Sequence, residues 1–140
     1  MSANNKDTIK RLIEEVWNQK NPNLIDELIA PDYVNNNPEG VLNGTLGYHQ
    51  FYDTYTNAFP DLKLSITDLI EGEDRVVCRY VCKGTHKGDL MGIAPTNNQI
   101  SVHGIVIATL KEDKIVEEKI IWDTLSLWQQ LEAVPQKVHQ

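Results

Sequence analysis

The stretch Ile100 to Leu110 constrains the chain most, because apolar side chains occupy both of its faces: Ile105 and Ile107 on one, Val102, Val106 and Ala108 on the other. A strand alternates its side chains between two faces, so a run apolar on both has to be covered on both and belongs at the centre of a sheet. The strands around it follow from the same period of two. Leu64, Ile66, Asp68 and Ile70 alternate with Lys63, Ser65 and Thr67; Gly72-Glu73-Asp74 reads as a turn; Arg75 to His86 returns as a second strand. In that strand Val77, Arg79 and Val81 share one face, and Cys78, Tyr80 and Cys82 the other. After Lys111 to Lys114 a last strand runs to Trp122 and into a short helix, WDTLSLWQQL.

Before Leu62 the period is helical. Asp7 is placed to cap a helix that aligns Ile9, Leu12, Ile13, Val16 and Trp17. Leu24, Ile25, Leu28 and Ile29 form a second, short one that Pro31 ends. Asp32 to Gly44, dense in Asn, Gly and Pro, reads as a loop. A third helix aligns Tyr48, Phe51, Tyr52, Tyr55 and Phe59 and stops at Pro60. Three helices followed by a meander of long strands predict an α+β fold, a cone of helices packed on one face of a curved antiparallel sheet, with a pocket on the concave side. At 140 residues the chain is read as one domain, 1–140. The apolar residues on the sheet's other face predict a homodimer.

Charge and composition narrow the partners. A formal charge of -7 without a Lys/Arg cluster argues against nucleic acid and anionic membranes. No run of about 18 apolar residues exists, and MSANNKDT has no apolar signal core, so the expected compartment is the cytoplasm. Cys78 and Cys82, four residues apart on a strand, stand about 13 Å apart and read as buried reduced thiols rather than a disulfide or a metal pair. The expected ligand is a hydrophobic small molecule.

Asp123, between Ile121-Trp122 and Leu125, is the first candidate for chemistry. If it is interior, its carboxylate loses hydration and rises toward the pH range of a proton carrier; the alternative is an N-cap of the helix that follows. Its relation to His103 depends on the turn between their strands: a three-residue loop puts both on one face, a two-residue loop separates them, and a bulge resets the register. His86 ends a strand beside a Gly-rich connection and is placed either to act at the pocket mouth or to hold that loop. Arg79, on an apolar face, is placed to bind an oxyanion or to pair with Glu117 or Glu118. Tyr52, Tyr55 and Trp122 are expected to shape the cavity.

Four stretches together resemble the SnoaL-like polyketide cyclase, or ester cyclase, family of the nuclear transport factor 2-like superfamily: NAFPDL at 57–62, RYVCKGTHKGDLMGIAPT at 79–96, KIVEE at 114–118 and WDTLSLWQQL at 122–131. The most specific part is the run Gly84-Thr85-His86, Gly88, Leu90, Gly92-Ile93, Pro95-Thr96. The resemblance implies the cone-shaped fold, a homodimer built on the sheets, no metal or organic cofactor, and closure of a polyketide ring by intramolecular aldol condensation, with Asp123 at the position of the acid/base residue. It also directs attention to the stretch Tyr33 to Asn37, where Asn36 stands in place of a histidine common in the family. Gly104 and Val106 stand, by ungapped counting, where characterised cyclases carry Gln and His, and Lys119 where a tryptophan is common. From the residues and the resemblance together, the expected catalytic pair is Asp123 and His86, and the expected substrate-binding residues are Tyr33, Asn36, Tyr52, Tyr55, Arg79, His103 and Trp122.

Overall fold

A computed structural model describes residues 4–133. Asn4, not Asp7, caps the first helix, accepting the Lys6 N–H at 2.8 Å; Asp7 lies inside the first turn. Helix α1 (Asn5–Arg11) passes directly into a π-helical stretch, Leu12–Asn18, and the two together bury Ile9, Leu12, Ile13, Val16 and Trp17 on one face, as their spacing predicts. A 3-10 turn (Pro22–Leu24) leads to the single-turn α2 (Ile25–Leu28). α3 (Gly44–Ala58) presents Tyr48, Phe51, Tyr52 and Tyr55 to the core, and α4 (Thr124–Leu131) buries Leu127 and Leu131.

The segment that reads as a loop is a hairpin. β1 (Ile29–Asn37) and β2 (Gly40–Asn43) pair antiparallel, with Asn37 opposite Gly40 across a two-residue turn, Pro38-Glu39. Ile29, which its spacing assigns to the second helix, already belongs to β1. The density of Asn, Pro and Gly suits a turn, and what makes the flanks strands is pairing that local composition does not encode.

β3 (Lys63–Glu71), β4 (Arg75–Thr85), β5 (Gln99–Lys111) and β6 (Lys114–Trp122) complete a six-stranded sheet in the order β2-β1-β6-β5-β4-β3. The sheet is antiparallel except where β1 lies parallel beside β6. β5 is internal to the sheet, as its two apolar faces require. Ile100, Val102, Val106, Ala108 and Leu110 face the helices, and Ile105 and Ile107 lie exposed on the reverse.

Two bulges reset the pleat. One, between Ile66 and Asp68, turns Leu69 inward and leaves Ile70 exposed, against the simple alternation. The other decides the site. β5 and β6 are joined by a two-residue turn, Glu112-Asp113, both with positive φ (52° and 67°), as a tight hairpin matched to strand twist requires. The partners then change from Leu110 with Ile115 to Thr109 with Glu117, so Val116 is the extra residue, and every β6 side chain after it changes face.

Candidate functional site

Between the π-helical stretch Leu12–Asn18, α3 and the concave face of the sheet lies a cavity of about 100 Å³. Trp17, Tyr48, Phe51 and Tyr55 form its helical wall, and Tyr80, Cys82, Val102 and Val106 the sheet wall. β6 contributes Glu118, Ile120 and Trp122. Aromatic edges lock the wall: the Tyr55 and Trp122 rings lie 5.7 Å apart and nearly perpendicular, and Phe51 stands 5.4 Å from Tyr55. Gly104 belongs to the same surface. A Cβ there would stand 2.4 Å from the Tyr80 hydroxyl and ring, so the missing side chain is the room Tyr80 occupies.

Glu118 is the ionisable acid in this wall, and it is 3 % exposed. The Tyr33 hydroxyl donates to its Oε1 at 2.5 Å, and Asn35 Nδ2 donates to the Tyr33 oxygen at 2.8 Å. Burial pushes the Glu118 carboxyl up to about 7, against the opposing pull of the Tyr33 hydrogen bond. Burial and the adjacent carboxylate together push Tyr33 well above the usual phenol range, so the tyrosine is the fixed donor of the pair. Burial likewise raises the Cys82 thiol to about 12, which leaves it an inert part of the wall. Both cysteines are free thiols.

Of the nine expected site residues, the structure brings Tyr33, Tyr55 and Trp122 together: Tyr55 and Trp122 line the cavity and Tyr33 holds Glu118. Tyr52 is one layer away, packed on Trp17 with ring centroids 5.0 Å apart. Asn36 is one residue out of phase. It pairs with Val41 and Lys119 on strands whose alternation turns the buried Asn35 inward.

Asp123 is exposed and outside the cavity. Its carboxylate accepts the Ser126 N–H at 3.0 Å as the N-cap of α4, and its own N–H donates to the His103 carbonyl at 3.1 Å. The desolvation expected of it is therefore missing. His103 is also exposed, on the convex face opposite Val81. The turn has two residues, but the bulge at Val116 restores the register in which Asp123 follows His103, and both lie away from the cavity.

Arg79 is exposed on that convex face beside Ile105 and Asp68. It does not meet Glu117 or Glu118, because β5 separates their strands. His86 is fully buried, 5.5 Å from Phe59, with Thr96 N–H donating to its Nδ1 at 3.2 Å. Its backbone N–H donates to Asn98 O, and its carbonyl accepts from Asn97, both at 2.9 Å. It is the anchor of the connection between β4 and β5 rather than a cavity residue, and burial lowers its pKa.

Sequence reasoning missed Glu118 and Asn35. Glu117 and Glu118 read only as partners for Arg79, and only the bulge tells which of the two turns inward. Among the described residues no group of three or more His, Cys, Asp or Glu side chains is arranged to hold a metal ion, and no helix is long and apolar enough to cross a membrane.

Helices packed on one face of a six-stranded, mostly antiparallel sheet, with a cavity between the two layers, make this a nuclear transport factor 2-like fold. Within it the chain belongs to the SnoaL-like polyketide cyclase family, whose model matches residues 7–131. A proposed polyketide cyclase of Acidithiobacillus ferrooxidans is 29% identical, with a TM-score of 0.82 over 94% of this chain and 98% of that one. IdmH of Streptomyces antibioticus, also a proposed polyketide cyclase, is 27% identical, with a TM-score of 0.81 over 94% of this chain and all of the other (100%). A hypothetical protein of Catenulispora acidiphila with a ketosteroid isomerase-like fold shares the architecture at 16% identity and a TM-score of 0.79, over 95% and 98% of the two chains. No curated protein matches the chain.

The cap geometry fixes what Asp123 variants do. Asn caps about as well as Asp, so Asp123→Asn is expected to leave melting and turnover unchanged, whereas Asp123→Ala costs about 1 kcal/mol of stability. Loss of turnover in Asp123→Asn with an unchanged melting curve would return Asp123 to the chemistry.

Proposed function

We propose that the protein is a cofactor-independent acid–base enzyme acting on a hydrophobic carbonyl compound, with Glu118 as its proton carrier and intramolecular aldol cyclisation as the reaction. The observation that carries this reading is the Glu118 carboxyl, buried in an apolar cavity wall and raised to about 7, where a carboxylate is basic enough to take a proton and its acid strong enough to return one. Glu118 removes a proton from the carbon next to the substrate carbonyl, and the electron pair of that C–H bond moves onto the oxygen as an enolate. The enolate carbon attacks a second carbonyl of the same molecule, forming the ring C–C bond. The resulting alkoxide takes the proton back from Glu118. Tyr55 and Trp122 hold the apolar body of the substrate, and the buried Trp122 indole nitrogen, which has no hydrogen-bond partner among the described residues, supplies a donor for a substrate oxygen.

Glu118→Gln keeps the size and an acceptor for Tyr33 but removes the base. Turnover of an activated dicarbonyl substrate is expected to fall by about 10²-fold or more. The same variant changes stability in a defined direction. A carboxyl with a folded pKa of about 7, raised from 4.5, stabilises the fold fully below pH 4.5, and that contribution is lost as the pH rises through 7. Glu118→Gln should therefore melt higher than the natural protein at pH 8, by on the order of 3 kcal/mol at most, and similarly at pH 4. Unchanged turnover would leave a dimeric carrier that binds an apolar molecule in the same cavity.

The convex face supports a homodimer. Ile105, Ile107 and Ile121 lie exposed there at 44%, 37% and 73%, a contiguous apolar area on paired strands. Sedimentation at micromolar concentration should give a species near twice the chain mass of 15.9 kDa, and a clean monomer would contradict it.

A further inference from the structure

The concave face of β1 carries Tyr33, Asn35 and Asn37 at a spacing of two, and their side chains form one hydrogen-bonded file. It starts at the tip of the β1–β2 hairpin, where the Glu39 N–H donates to Asn37 Oδ1 at 2.8 Å. Asn37 Nδ2 donates to Asn35 Oδ1 at 2.9 Å, Asn35 Nδ2 to the Tyr33 oxygen at 2.8 Å, and Tyr33 to Glu118 Oε1 at 2.5 Å. All four donors point the same way, toward the carboxylate. Each bond polarises the next, so a head-to-tail file ending on an anion strengthens along its length. The tip is itself fastened to the cavity wall, because the Tyr55 hydroxyl donates to the Glu39 carboxylate.

We propose, on the reading of Glu118 as the proton carrier, that Asn35 and Asn37 are positioning residues which orient Tyr33 on Glu118 and stabilise the ionised carboxylate, and that the docked hairpin tip is the far end of this device. The tip thereby becomes part of the site without touching the reacting atoms. Displacing it removes the first donor and weakens every bond behind it. The local sequence NNN-P-E-G then has a physical reason: the first and third Asn complete the file, and the second, Asn36, faces the other way.

The other titratable groups facing Glu118 do not compete for this role. Tyr33 reaches it from β1, Tyr48 from α3, and Tyr80 and Cys78 from β4; burial raises all four, Cys78 to about 11, so they stay neutral while Glu118 titrates. Lys119, its neighbour on β6, is exposed on the opposite face.

The test follows the Glu118 side-chain carboxyl carbon by NMR across pH 4 to 9, with the resonance assigned by its loss in Glu118→Gln. Asn37→Ala cuts the file at a half-buried position and should raise the midpoint by a few tenths of a pH unit; Asn35→Leu, nearer the carboxylate, should raise it by about one unit. Asn36→Ala, on the same strand but outside the file, should leave the midpoint where it is. If Asn35→Leu fails to fold, the comparison of Asn37→Ala with Asn36→Ala decides alone. Equal midpoints in those two variants would overturn the proposal, whether or not any substrate is turned over. Where a substrate is found, the acid limb of kcat/KM should move up with the midpoint, while a shifted midpoint with an unmoved acid limb would reject the reading of Glu118 as a catalyst and leave the positioning role standing.

Discussion

The structure depends on one buried contact, the Tyr33 hydroxyl against the Glu118 carboxyl. An ionised carboxylate taken out of water costs several kcal/mol unless hydrogen bonds compensate, and here one short bond, backed by Asn35, compensates only in part. The remainder is expressed as a carboxyl raised to about 7. Three features of the fold bring the pair together. The parallel placement of β1 beside β6 sets Asn35 next to Glu118; the bulge at Val116 turns Glu118 rather than Glu117 inward; and the apolar wall from Trp17 to Trp122 keeps bulk water out. Without the bulge the hairpin register would send Glu118 to the convex face, where a carboxylate is hydrated and ordinary.

The same economy accounts for the residues that stand outside the cavity. Asp123 and His86 occur in the stretches that most resemble the family, and each has a structural role. Asp123 ends β6 and starts α4, while His86 ties the two ends of the β4–β5 connection. Residues with such roles are tied by backbone hydrogen bonds, and neither side chain lines the cavity. Glu118, in the cavity wall with Tyr33 as its side-chain partner, is the group that the proposed function takes as proton carrier.

Much of this is legible in the sequence. The two-faced apolar run of β5 and the helical stripes of α1 and α3, Tyr55 among them, follow from periodicity, which is a local property; the cap of α4, one of the two readings open for Asp123, follows from the preference of Asp for that position, and Trp122 stands in the apolar run before it. What is not legible depends on long-range pairing. β1 and β2 read as loop because Asn, Pro and Gly disfavour strands, and their strand character comes from β6 and from the side-chain file along β1. Asn36 rather than Asn35 is the sequence expectation because the resemblance points to the position of the family's histidine, and no local signal fixes the phase of a strand that is not foreseen. Glu118 reads as a surface partner of Arg79, since a bulge that moves one residue leaves no mark in composition. Glu117-Glu118 followed by an apolar Ile120 is the one available hint that an acid there shares the inner face.

The function proposed for the cavity rests on the ionisation of Glu118 in the natural protein. A site-resolved titration of its side-chain carboxyl carbon measures this without any substrate. The expected midpoint lies near 7. A midpoint in the ordinary glutamate range, about 4.3, would mean that the carboxylate is hydrated, and would contradict the claim that this cavity holds a proton carrier.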